Sequence, residues 1–211
     1  MDGKEFIKNR NTLLGETLKK NFGARNFDAY YCETKDEAAD AALSLIQENS
    51  TVAWGGSMSI FECGLVDRLK RGNYNIIDRS KYDDVRQAYI DTFCSDTYLM
   101  SANGISAKGE LVNIDGTANR LSALCFGPKQ VIIIASLNKV MPDLDSAIKR
   151  ARNVAAPENA QRFPLDTPCR KTGICGDCHG DDCICAQLLI TRVCRPKGRI
   201  KIIFCGEDLG F

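Results

Sequence analysis

The chain has 211 residues, 44% of them hydrophobic and 26% charged, with a formal net charge of +1. This length carries one large core, or a core with a small appendage, and the near-zero charge gives no field toward nucleic acid or an anionic membrane. No apolar run approaches the roughly 20 residues of a membrane helix, and the opening Met-Asp-Gly-Lys-Glu-Phe has no signal-peptide pattern, so a cytoplasmic location with reduced thiols is expected.

Helix and strand patterns alternate. Residues 3–21 read as a helix with Phe6, Leu13, Leu14 and Leu18 on one face. Phe27–Cys32 is a short β-prone run. Lys35–Gln47 is a second helix, with Thr34 as N-cap and Glu37 as its capping-box partner. Thr51–Trp54 reads as a buried strand, Ser57–Arg71 as the following helix, Tyr74–Ile77 as a strand and Asp83–Phe93 as a helix. Thr97–Met100 is another strand, and Lys108-Gly109 a hairpin turn between extended segments. Thr117–Leu124 is a short helix. Val131-Ile132-Ile133-Ile134 is a continuous apolar run, typical of a strand covered on both faces. Asp143–Val154 is helical, the chain is irregular after Pro157, and Leu188–Val193 and Arg199–Phe204 close it around Pro196-Lys197-Gly198. This alternation predicts an α/β fold with a mostly parallel sheet flanked by helices.

Chemistry concentrates in two places. Cys175 and Cys178 are two residues apart, so both sulfurs can face one point from a tight knuckle. Cys169 and Cys185 flank it and can complete a four-thiolate shell. Tetrahedral zinc and an iron–sulfur cluster both accept such a shell, and the spacing does not choose between them. Gly173 and Gly176 are expected to supply the backbone angles of the knuckle. His179, the lone histidine, is an alternative ligand. The remaining scattered cysteines, Cys32, Cys63, Cys94, Cys125, Cys194 and Cys205, read as small buried hydrophobes.

The second place is a set of loops at strand ends. Gly55-Gly56-Ser57-Met58-Ser59 joins a strand to a helix start. It is read either as an anion cradle using Ser57 and Ser59 or as a tight turn with Ser57 as N-cap. Asn103 follows a strand and either orients a ligand or accepts a turn. Asn119 and Arg120 open a helix, with Arg120 a carboxylate or phosphate clamp or a plain surface arginine. Glu110 and Asp115 are candidate acid and base, or turn carboxylates. Lys139 is an anion contact or a solvated lysine. The Gly-Gly-Ser string is neither a Walker loop nor a dinucleotide fingerprint.

Several of these strings together resemble the LUD-domain family, named for lactate utilisation and including the LutC/YkgG group. They are Gly55-Gly56-Ser57 with Glu62 and Gly64-Leu65, Asn103-Gly104-Ile105, Gly109 to Gly116 with Asn119-Arg120, Phe126 to Lys129, and Asn138-Lys139. The cysteine run and Gly206 to Phe211 match stand-alone members with a cysteine tail. Two departures are noted: Gly104 stands where Ala is usual, and Ala118 where Gly is usual. The resemblance covers nearly the whole chain. It implies one LUD domain over 1–211 with a cysteine-rich segment at 168–186, folded like ribose-5-phosphate isomerase, glucosamine-6-phosphate deaminase and CoA transferases. Ala102 stands where a CoA transferase has its nucleophilic Glu, which speaks against that covalent route.

The expected function is therefore an accessory role in lactate or related organic-acid oxidation. A small-anion pocket would use Gly55, Gly56, Ser57, Ser59, Asn103, Asn119, Arg120 and Lys139. Cys169, Cys175, Cys178 and Cys185 would hold an iron–sulfur cluster or Zn, with redox proteins as partners. Two alternatives stand beside it: an enzyme on a phosphorylated or CoA-linked metabolite using Glu110, Asp115 and Arg120, and an interaction protein with a structural zinc knuckle. Neither nucleic acid nor membrane is an expected partner, and no sequence pattern sets an oligomeric state.

Overall fold

The computed structural model describes residues 3–211; Met1 and Asp2 of the expected 1–211 unit lie outside the described residues. Helix α1 (Gly3–Gly23) leads into β1 (Asp28–Cys32), and α2 (Lys35–Ser44) follows. The Thr34–Glu37 capping box starts α2 as the sequence predicts, with both reciprocal bonds present. In α1 the buried side is set by Gly15, Leu18 and Phe22. Phe6 and Leu13 point outward instead, Leu13 being 71% exposed.

After β2 (Thr51–Trp54), the expected single helix is two: α3 (Met58–Glu62) and α4 (Leu65–Arg71). The break is Gly64, at φ +72°, a left-handed angle that ends α-helical geometry and that glycine adopts without a Cβ clash. Then come β3 (Asn75–Ile77), α5 (Val85–Phe93) and β4 (Thr97–Met100). The hairpin predicted at Lys108-Gly109 joins β5 (Gly104–Ser106) to β6 (Glu110–Asp115), which pair antiparallel. Next are α6 (Asn119–Cys125), β7 (Gln130–Ser136) and the short β8 (Val140–Met141).

Helix α7 (Leu144–Arg150) runs through a π-helical turn, Ala151–Ala155, directly into α8 (Ala156–Ala160). The helical segment thus extends past Pro157, where irregular chain was expected. Pro157 stands at the start of α8, immediately after the π turn, where the regular i→i−4 ladder that its missing N–H would break is already interrupted. Last come α9 (Pro168–Thr172), β9 (Gln187–Thr191) and β10 (Ile200–Cys205).

Six strands form one parallel sheet in the order β1-β10-β7-β4-β2-β3. The predicted apolar run lies at its centre, as β7 between β10 and β4. Val131 and Ile133 enter one core with Phe22, Tyr98 and Phe204, while Ile132 and Ile134 enter another with Val52, Leu65 and Leu69. The period-two alternation therefore supplies both faces of the sheet, each fully buried aliphatic side chain contributing about 1.5–3 kcal/mol. The two closing strands part company. β10 joins the large sheet, and β9 pairs antiparallel with β6 in a second sheet, β8-β5-β6-β9. Among the described residues no helix is long and apolar enough to cross a membrane.

Candidate functional site

The carboxyl ends of neighbouring parallel strands open on one side of the sheet. In open α/β sheets that is the side where ligands bind. Gly55 follows β2, Arg79 follows β3, Ser101 follows β4 and Lys139 follows β7. Together with Asp115 at the end of β6 and Arg120 in the first turn of α6, they line a pocket of about 370 Å³. Gly56, Ser57, Ser59, Asn103 and Asn119 also line it, so every residue of the expected ligand set reaches one cavity.

The source of its positive charge differs from the sequence reading. Helix α3 is five residues long and Ser57 makes no side-chain cap bond, so a helix-start field is too weak to define the site. Guanidinium groups do so instead. Arg120 is held by Asp115, whose Oδ2 accepts the Arg120 backbone N–H at 3.1 Å and pairs ionically with Nε at 3.2 Å. A further Arg120 nitrogen donates to the Ile114 carbonyl. Asp115 therefore positions the arginine; its side chain is 6% exposed.

Arg79 and Arg162 complete the cationic wall, and neither was singled out by sequence. Arg79 stacks over the Tyr89 ring at 5.8 Å, and Arg162 donates to the Gly56 carbonyl at 2.7 Å and to Asn159 Oδ1 at 3.1 Å. Burial, and then the charges of Arg79 and Arg120, push the Arg162 guanidinium below its ordinary pKa. Three guanidinium groups in one another's field favour an anionic occupant. Gly55 lets this happen: a Cβ there would stand 2.6 Å from the Tyr98 hydroxyl and 3.2 Å from Arg120 Cδ.

Other expected residues are differently employed. The Asn103 Oδ1 accepts the Ile114 N–H at 2.9 Å, and its carbonyl accepts Arg150 Nη1 at 2.6 Å, so it pins the pocket wall. Asn119 Oδ1 accepts the Thr117 hydroxyl at 3.0 Å. Glu110 lies at the opposite end of β6 from Asp115, about 17 Å away at strand rise, and pairs with Arg25 at 2.7 Å; it is not a pocket residue. Lys139 is no solvated lysine. It is 2% exposed, and its Nζ lies at hydrogen-bond distance from Ser59 Oγ, 2.9 Å, and Ser101 Oγ, 3.1 Å. Burial, then the charge of Arg150, pushes its pKa down to about 7.

The cysteine segment adjoins this pocket, with Ile184 and Cys185 in its lining. Cys169 is buried in α9, and Cys175, Cys178, Cys183 and Cys185 are partly buried. Among the described residues no three Cys, His, Asp or Glu side chains converge on a metal-sized centre. The thiols are nonetheless within electrostatic reach of one another. The Cys185 pKa is pushed up to about 12, first by burial and then by Cys183, Cys169, Cys175 and Cys178. Burial and a hydrogen bond with Cys183 raise that of Cys178, so Cys183 sits among the four expected thiols.

Gly173 takes the left-handed angle expected of it, φ +75°. Gly176 is required for contact instead, since a Cβ would lie 2.7 Å from Pro168 Cβ. An ion pair from Arg152, in the π turn, to Asp177 ties the knuckle to the helical segment. Of the other cysteines, Cys63, Cys194 and Cys205 are buried and Cys32 is half-buried, but Cys94 and Cys125 are exposed.

Comparison with known proteins gives a consistent result. The family model described as the LUD domain matches residues 15–205. The crystal structure of a DUF162 family protein from Deinococcus radiodurans aligns with a TM-score of 0.51 at 13% identity, over 94% of this chain and 98% of that one. The beta subunit of eIF2B from Chaetomium thermophilum aligns at a TM-score of 0.39 and 15% identity, over 55% of this chain and 42% of that one. Its delta subunit aligns at 0.38 and 16%, over 56% and 54%; these two likenesses are too partial to carry an argument. No curated protein matches the chain. With nearly its whole length matched, the chain belongs to the LUD-domain family, the family named for lactate utilisation.

Proposed function

We propose that this protein is an accessory of lactate or related organic-acid oxidation, binding a small anionic metabolite in the strand-end pocket beside a thiolate-bound metal or cluster. The observation that carries the reading is that Cys185 lines the same cavity as Arg79, Arg120 and Arg162. Arg120 and Arg162 would hold the anion by charge-assisted hydrogen bonds, and Asp115 would keep Arg120 aimed.

The donor chemistry fits a thiophilic metal. Cys169, Cys175, Cys178 and Cys185 are soft ligands from one short segment, and loading would have to draw them onto a centre that no three side chains of the described residues form in this structure. An iron–sulfur cluster there would supply one-electron chemistry and call for a redox partner protein; zinc would supply only a structural clasp, the interaction-protein alternative. The pocket's three guanidinium groups equally suit a phosphorylated or CoA-linked metabolite. In that reading Asp115 and Arg120 remain at the site and Glu110 does not.

Titration calorimetry of anaerobically purified protein with L-lactate, pyruvate and inorganic phosphate tests the reading. Saturable binding of a 2-hydroxy or 2-oxo acid, weakened at least about 10-fold in Arg120→Ala and Arg162→Ala, is expected for loss of a charge-assisted contact. Binding of phosphate alone favours the phosphorylated-metabolite reading. Binding of none of the three, or equal binding by both variants, removes the pocket from the account.

A further inference from the structure

Lys139 has no carboxylate partner at ion-pair distance among the described residues, although it is 2% exposed. A buried ammonium without a counter-ion is costly, so burial selects the neutral amine. The hydrogen bonds around it fit that form. Ser59 Oγ donates its own proton to the Leu209 carbonyl at 3.2 Å, so towards Lys139 it must accept. Among the described residues Ser101 Oγ has only Lys139 Nζ as partner, at 3.1 Å. A neutral amine can donate one N–H to Ser59 and receive the Ser101 O–H on its lone pair. Ser101 is the more accessible of the two, at 8% exposed against 2%, and both line the pocket. Of the two, Ser101 is therefore the residue more open to the cavity.

We propose that Ser101 and Lys139 are a nucleophile and its general base, giving the pocket an acyl-transfer activity toward activated acyl compounds that carry an anionic group. The inference rests on the pocket being an anion site, as read above. In the first step Ser101 Oγ forms a bond to the acyl carbon while its proton passes to Lys139 Nζ. The tetrahedral adduct collapses, the bond to the leaving group breaks, and that group departs with its electron pair and takes the proton from Nζ. An ester on Ser101 and a neutral amine remain. Water, deprotonated by the same amine, then attacks the ester, and the proton returns to Ser101 as the acid leaves. The sum is acyl compound plus water to carboxylic acid plus protonated leaving group, with no oxidant or reductant. Arg120 and Arg162 would hold the anionic part of the donor.

The groups that bear on Lys139 come from three helices. Arg150 in α7 lowers its proton affinity, whereas Glu62 in α3 and Glu158 in α8 raise it. Acylation should therefore accelerate as the amine loses its proton near pH 7 and level off above.

The test incubates the whole protein with acetyl phosphate, and separately with the uncharged ester p-nitrophenyl acetate, quenches in acid, and locates the acetyl group by mass spectrometry of peptides. One acetyl group on Ser101 is expected, with acetyl phosphate the faster donor. Ser101→Ala should abolish that adduct, Lys139→Met should slow it by about 100-fold or more, and Ser44→Ala, exposed on α2, should leave it unchanged. If Lys139→Met does not fold, the wild-type pH profile decides. A flat profile across neutrality, an adduct on Lys139 or another residue, or no adduct at all overturns the pair. Inorganic phosphate binding is measured on the same sample. Binding without acylation rejects the Ser101–Lys139 pair alone, and acylation without anion binding rejects the anion reading alone.

Discussion

Asp115 Oδ2 makes two contacts with the same residue, accepting the backbone N–H of Arg120 at 3.1 Å and forming an ion pair with its side-chain Nε at 3.2 Å. One carboxylate oxygen therefore both starts α6 and aims the guanidinium into the pocket. Asp115→Asn keeps the shape and removes the charge. It should weaken binding of inorganic phosphate or a 2-hydroxy acid by about 10-fold and lower stability by about 1–3 kcal/mol, the cost of an unmatched buried polar contact. Calorimetry and urea unfolding on the same protein check the two effects, and unchanged affinity would place Arg120 outside the binding site.

Two departures from the family pattern have opposite energetic signs. Ala118 precedes α6 at φ +61°, a left-handed angle that costs an L-residue about 1–2 kcal/mol. Ala118→Gly should raise stability by up to about 1 kcal/mol, part of the relief being lost to unfolded-chain entropy. At Gly104 a Cβ would collide with the Ala147 carbonyl. Gly104→Ala should therefore lower stability by about 1–3 kcal/mol through overpacking. Urea denaturation midpoints distinguish the two, and a stabilising Gly104→Ala would contradict the packing of β5 against α7.

Lys139 also ties stability to pH. Its folded-state pKa of about 7 lies below the ordinary 10.5 because burial and Arg150 oppose the charge. Between these values the unfolded chain binds more protons than the folded one, so stability should rise with pH across that window. Below about pH 7 both states are protonated and the full cost of the buried ammonium applies. Lys139→Met should flatten this rise. Thermal unfolding at neutral and mildly alkaline pH measures it; a slope identical in wild type and variant would mean that Lys139 is charged in the fold.

Much of the fold could be read from the sequence because it is locally encoded. The Thr34–Glu37 box fixes the start of α2, and the unbroken Val131–Ile134 run marks the central strand, since both faces of β7 are covered. The split between α3 and α4 hangs on one glycine angle, which residue identity alone does not fix. The helical stretch through Pro157 was hidden because a proline tolerated beside a π turn looks the same in sequence as one that ends a helix.

The strand-end residues of the site were legible for a related reason: loops after parallel strands share one edge of the sheet. Arg79 and Arg162 were not, because nothing local separates a pocket arginine from the many at the surface. Their arrival depends on where the 3₁₀ turn Arg79–Lys81 after β3 and the chain just past α8 pack. The burial of Lys139 could not be read locally either, because the Ser59 and Ser101 hydroxyls around its amine come from other strand-end loops, remote in sequence.

The proposed function requires that the thiols beside the pocket hold a metal. Metal and sulfide analysis of protein purified without oxygen tests this directly, together with Cys175→Ser and Cys185→Ser. One centre per chain, either iron with sulfide or zinc, lost in both variants, is the predicted result. Metal-free protein in which Cys169, Cys175, Cys178 and Cys185 all react freely with a thiol reagent, while the fold and anion binding persist, would contradict it.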